Sequence, residues 1–181
     1  MKIIILLLIL SGYEAIRSVE EHYWRDFNGL LPTDALVGGT DESGETMYIG
    51  QFSIISNCSN DPSNIDTIIA TLYTGHDRAT ASYNGNFVYS NETSNVKVLC
   101  VGNKNRFRWG PRKSLYSSNC RYVVGGIEDG VPLHIGKASH GRAKVTGKVF
   151  SDTSYHSDKL IVGYEGKEIT FDNFDILTHC V

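Results

Sequence analysis

Two acidic turns are the places where this chain brings reactive side chains to defined positions. Asp41 follows the glycine pair Gly38-Gly39, and Glu128 follows Gly125-Gly126. Each is succeeded by alternating apolar residues that run to a further glycine, Gly50 and Gly136. That is the pattern of a hairpin with a carboxylate at its tip. An ionised carboxylate is purely an acceptor of hydrogen bonds, and its commonest use in a turn is to bond its own backbone. Catalytic patterns are missing. Serine, histidine and aspartate are all present, but no Gly-x-Ser-x-Gly motif accompanies them. The adjacent carboxylates of Glu128-Asp129 lack the opposed arrangement that a glycosidase needs. His22, His76, His134, His140, His156 and His179 are dispersed without metal-ligand spacing. Gly38-Gly39 is not a dinucleotide fingerprint, because the spacing and the following helix are absent. The expectation is therefore a protein that is not an enzyme, with no cofactor and no metal.

The elements that carry the two turns come in matching order. Tyr83-Asn84-Gly85-Asn86 is echoed by Tyr164-Glu165-Gly166-Lys167, and the run ending at Cys100 is echoed by the run ending at Cys180. Trp24 and Trp109 stand at similar distances before their glycine pairs. Such tryptophans either anchor a core or offer a stacking platform, and the core is the more usual role. Apolar runs are short and broken by Asn28-Gly29, Pro32 and Gly38-Gly39, which predicts strands and turns. Eighteen glycines and ten tyrosines agree, because glycine serves tight turns and tyrosine suits a half-buried pleated surface. The reading is an all-β fold of short antiparallel strands with little helix, made of two repeats over residues 23–100 and 107–181. Residues 102–113 are expected as a basic connection, and 51–63 as a polar insertion loop. Neither repeat would bury much alone, so the two are expected to pack about a pseudo-two-fold axis.

Met1-Lys2, the eight apolar residues Ile3 to Leu10 and small residues up to Ala15 form the pattern of a signal peptide over residues 1–15, with cleavage between Gly12 and about Ala15. A membrane anchor is the rival, but a span needs roughly 20 apolar residues. A secreted, extracellular protein follows, and Cys58, Cys100, Cys120 and Cys180 then read as two disulfides. Three connectivities are open. The matching ends of the repeats favour Cys58 with Cys100 and Cys120 with Cys180. Asn57 and Asn91 begin glycosylation sequons, the first with Cys58 in its middle position. A net charge of −3, with both signs scattered along the chain, argues against a nucleic-acid partner.

The tryptophan, the run Leu31-Pro32-Thr33-Asp34-Ala35-Leu36-Val37-Gly38-Gly39-Thr40-Asp41, then Gly44 to Gly50, Thr146-Gly147-Lys148-Val149 and Tyr164 to Glu168 together resemble the DM9 repeat family. The resemblance covers nearly all of the chain beyond the leader. It implies a tandem all-β protein, and for some members a mannose-binding lectin that recognises microbial surfaces in innate immunity. It also implies a sugar site made of the acid after the glycine pair and a lysine in the later Pro-Gly-Lys-Val stretch. A carboxylate can accept from adjacent sugar hydroxyls, and an ammonium can donate to sugar oxygens. On this resemblance Asp41, Glu128 and Lys148 are the carbohydrate-binding candidates, with Leu72 standing in the first copy where the lysine would be. Either Glu128 pairs with Lys148, or exchanged strands bring Asp41 to Lys148. Glu45, Tyr48 and Lys137 are candidate pocket-lining residues. The implied partners are microbial mannose-type glycans, with a homodimer supplying multivalency. The alternative is a secreted structural or protein-interaction module whose sugar site has decayed.

Overall fold

The computed structural model describes residues 22–56, 63–112, 119–152 and 158–180. The leader at residues 1–15, Asn57, Cys58 and His156 lie outside the described residues. The fold is all-β: the described residues form fifteen antiparallel strands, with a 3-10 turn at Lys104–Arg106. In the first half these are β1 (His22–Asp26), β2 (Val37–Thr40), β3 (Thr46–Ile55), β4 (Ile65–Tyr73), β5 (Thr80–Tyr83), β6 (Asn86–Tyr89) and β7 (Lys97–Val101). In the second they are β8 (Phe107–Pro111), β9 (Cys120–Tyr122), β10 (Val124–Glu128), β11 (Val131–His140), β12 (Ala143–Phe150), β13 (Leu160–Tyr164), β14 (Lys167–Phe171) and β15 (Asp175–Cys180).

Six of these strands close a hydrogen-bonded ring in the order β3, β2, β12, β11, β10, β4 and back to β3. The ring crosses between the halves twice, where Thr40 on β2 pairs with Lys144 on β12 and where Ile127 on β10 pairs with Thr67 on β4. The glycine pairs explain both crossings. A Cβ at Gly39 would lie 1.6 Å from the carbonyl oxygen of Lys144, and one at Gly126 would lie 2.1 Å from that of Thr67. Only a residue without a side chain lets the two backbones approach that closely. The glycine pairs of the sequence are therefore the points at which each half hands a strand to the other.

Three apolar clusters fill the molecule. The central one draws on both halves, with Leu36, Ile49, Ile69 and Leu99 meeting Leu133, Ile135, Phe150 and Leu177, and Trp24 and Trp109 packed at its margin. Both tryptophans thus take the anchoring role. The flanking clusters centre on Phe52 and Ile68 in one case and on Val145 and Leu160 in the other. Each fully buried side chain of this size contributes about 1.5–3 kcal/mol of transfer free energy.

Three expectations need correction. Residues 51–55 are not loop but the end of β3, paired with β4 as far as Ile55 with Ile65. The expected connection at residues 102–113 contains β8, which pairs with β15. Cys120 and Cys180 are opposite one another on β9 and β15 and are joined by a disulfide. Cys100, expected to join Cys58, is instead a free, fully buried thiol on β7. Burial first, and then the Asp34 carboxylate, push its pKa up to about 11. In register Cys100 matches Thr178, two residues short of Cys180, because Gly50 faces Val98 where Gly136 faces Ile176.

Gly39→Ala and Gly126→Ala are each expected to lower the unfolding free energy by at least about 3 kcal/mol, since backbone on the far side leaves the new methyl no room. Gly102→Ala, where a Cβ meets nothing within 4 Å, serves as the control in the same denaturant titration.

Candidate functional site

Glu128 closes β10 and Lys148 lies on the facing side of β12, and the fold brings them together in the interior. The Lys148 ammonium donates to both Glu128 carboxylate oxygens, at 2.8 and 2.5 Å. It also donates to the Ser82 carbonyl oxygen on β5 at 3.0 Å, and it lies 5.8 Å from the Tyr83 ring and 5.6 Å from the Phe150 ring. Both side chains are only 3–4% exposed. Around them, the Tyr83 hydroxyl donates to Asp66, Asp66 accepts from the Asp129 backbone, and the Ser82 hydroxyl donates to Glu168. Burial raises the pKa of Glu128, while Lys148 opposes that shift. The pair is satisfied internally, and no bound molecule has room to reach its charges.

Asp41 lies in an exposed turn that it organises itself. Its Oδ1 accepts from the Ser43 hydroxyl and from the backbone N–H groups of Ser43 and Glu45, at 2.7–2.9 Å. These bonds, the Ser43 hydroxyl foremost, hold its pKa down. Its Oδ2 has no partner among the described residues, and no hydrogen bond joins Asp41 to Lys148. The carboxylate instead borders a cleft of about 810 Å³ lined by Glu45, Thr71, Tyr73, His76, Arg78 and Tyr89, and closed by the Gly163-Tyr164-Glu165-Gly166 turn. Burial raises the Tyr73 pKa to about 12, with Asp41, Glu45 and Glu165 adding to it through their charge. Among the described residues none of Asp41, Glu45, Asp77, Arg78 or Glu165 is in an ion pair.

Pairing register relates the two places. Ile135 on β11 faces Lys148, and Ile49 on β3 faces Thr71. The residue at the lysine's position is thus Thr71, one step from Leu72, which is fully buried in a flanking core cluster. The sequence reading slipped by a single residue. That step also separated Tyr73, Tyr164 and Thr71 from the site, although Tyr164 to Gly166 had been matched to Tyr83 to Gly85 and could have indicated the cleft.

The three candidate lining residues border three different cavities. Glu45 lines the Asp41 cleft, Tyr48 a smaller one of about 490 Å³ near Leu30 to Pro32, and Lys137 one of about 940 Å³ beside Trp109. The last is larger, but its charged residues balance, with Arg112, Lys137 and Lys144 against Asp158, Asp172 and Asp175. Arg112 pairs with Asp158, Lys137 faces Asp175 across the strand pair, and the Lys137 ammonium covers the Trp109 ring at 4.0 Å. Burial lowers the Lys137 pKa to about 8. Asn91 is exposed, and its Oδ1 accepts from the Thr93 N–H and hydroxyl and from the Ser94 hydroxyl. Among the described residues no three His, Cys, Asp or Glu side chains gather as metal ligands, and no helix is long and apolar enough to cross a membrane.

The DM9 repeat profile matches residues 62–171, more than half of the chain. This protein belongs to the DM9 repeat family. Among solved structures it is similar to the nematode sperm cell motility protein MFP2B, with a TM-score of 0.58 at 11% identity. That match covers 88% of this chain and 44% of the other, so this DM9 protein spans less than half the length of its structural neighbour and shares its fold. No curated protein matches the chain.

Two outcomes test the site electrostatics. Lys148→Met leaves a buried carboxylate unpaired and is expected to cost about 3–5 kcal/mol in urea unfolding, most of it recovered in the Glu128→Gln, Lys148→Met double variant. Because the folded-state pKa of Lys137 is depressed, the unfolded chain holds more protons from about pH 8 up to about 10.5, so its contribution to stability rises with pH across that window. Lys137→Met should flatten that rise in unfolding titrations taken at successive pH values.

Proposed function

We propose that this DM9 protein is a secreted, non-catalytic carbohydrate-binding protein, and that the glycan seats in the Asp41 cleft rather than at Glu128 and Lys148. The observation that carries the reading is the cleft's combination of a carboxylate with one unengaged oxygen, further unpaired charges and the rings of Tyr73, Tyr89 and Tyr164. Sugars present both vicinal hydroxyls and an apolar ring face, so acceptors beside aromatic surfaces suit them. Glycans of mannose type on microbial surfaces, and a role in innate immunity, are the specific form proposed, in line with the family resemblance. The disulfide and the leader-like residues 1–15 support secretion, with Asn91 as an exposed glycosylation site. Two repeats packed about a pseudo-two-fold axis are the proposed organisation, supported by the recurring strand register. A single shallow site binds weakly once desolvation is counted, and a homodimer would restore avidity.

A second reading has one observation in its favour. The Glu128–Lys148 pair is closed upon itself, as in a structural or protein-interaction module whose sugar site has decayed. The two readings part in a glycan array followed by titration calorimetry on the oxidised protein. The lectin reading expects millimolar-range or tighter binding, weakened roughly 3- to 10-fold by Tyr73→Ala through lost stacking. Absence of binding to any glycan by folded protein leaves the module.

A further inference from the structure

The interior holds one ammonium in a complete chamber, and the register places a matching chamber at the surface without one. Around Lys148 the chamber consists of the Glu128 carboxylate, the Ser82 carbonyl and the rings of Tyr83 and Phe150. Matched strand by strand, Glu128 corresponds to Asp41 and Ser82 to Gly163. Tyr83 corresponds to Tyr164, and Phe150 to Tyr73. Lys148 itself corresponds to Thr71, whose short side chain carries no charge. All five counterparts line the Asp41 cleft. Carboxylate, carbonyl and aromatic faces are the groups that hold an organic ammonium, through charge-assisted hydrogen bonds and cation–π attraction.

The surroundings add to the same preference. Glu45, Asp77 and Glu165 join Asp41 against the single guanidinium of Arg78, so the cleft is net acidic, whereas the larger cavity beside Trp109 has its charges matched. Gly163 permits the approach of the two chambers, since a Cβ there would lie 2.3 Å from the Ala81 carbonyl oxygen. The two sites therefore stand against one another across β5 and β13.

The geometry points to the Asp41 cleft as a site for a protonated primary amine carried on a sugar, that is, an amino sugar with a free ammonium, whose charge takes the place that Lys148 fills in the other half. This rests on the carbohydrate reading and narrows its ligand class.

Titration calorimetry of the full oxidised chain with glucosamine, N-acetylglucosamine, mannose and the non-sugar amine ethanolamine tests it. Glucosamine is expected to bind roughly tenfold or more tightly than either neutral sugar, with the preference shrinking as salt is raised. Asp41→Asn keeps the Oδ1 acceptor of the turn while removing the charge, and should abolish the preference. Thr71→Lys should block amine binding by supplying the chain's own ammonium. Should that variant fail to fold, Asp41→Asn alone decides. Glucosamine binding no better than mannose overturns the inference and leaves the carbohydrate reading standing. Ethanolamine binding as tightly as glucosamine keeps the ammonium site but removes the sugar from it. No binding by any of the four overturns both.

Discussion

The contact on which the rest of the molecule depends is backbone against backbone, at Gly39 with Lys144 and at Gly126 with Thr67. At each crossing an ordinary side chain would occupy the space of a carbonyl oxygen. With the glycines in place the ring of six strands closes, and the apolar faces of β3 and β11 turn into one shared interior where Ile49 and Ile135 are fully buried. A closed ring also removes edges that would otherwise recruit strands from other molecules. The acids that follow the glycine pairs are carried into position by the same crossings.

Closure explains why two similar turns have different electrostatic fates. Each acid-bearing turn meets residues of the opposite half: Ser82 and Tyr83 for Glu128, Gly163 and Tyr164 for Asp41. In one place a lysine reaches across and the charges neutralise in the interior. In the other a threonine falls short and the carboxylate remains at a solvent-filled cleft. A buried pair of this kind adds little net stability relative to apolar residues of equal volume, since desolvation offsets most of the attraction. Its consequence is a fixed register between β10, β12 and β5.

Much of this was legible in the chain. Alternation after each glycine pair marked β3 and β11, the echo of Tyr83-Asn84-Gly85-Asn86 in Tyr164-Glu165-Gly166-Lys167 marked two stretches that prove to be the turns of β5–β6 and β13–β14, and the family motif extended over both halves. What escaped the sequence did so for definite reasons. Nine residues separate β3 from β4 where two separate β11 from β12, so spacing along the chain does not carry the register into β4, and Leu72 is read in the place of Thr71. In a strand one residue is the difference between the cleft and the core. Cys100 was paired by its position at the end of a repeat, yet it stands two residues from the place of Cys180, beside Asp34. The burial of Lys148 depends on Ser82 and Tyr83, more than sixty residues away, and nothing local to Gly147-Lys148-Val149 announces it.

The crossed ring also sets a timetable for the chain's biosynthesis. Strand β2 ends at Thr40, but the strand it must join, β12, begins only at Ala143. Until then its backbone donors and acceptors are answered on one side alone. A nascent chain cannot complete this interior until β12 has been made, and topologies dominated by distant pairings fold slowly and expose apolar surface meanwhile. The two halves therefore reach the native state together, and a chain that stops after the first half would leave Gly39 with no strand to receive it.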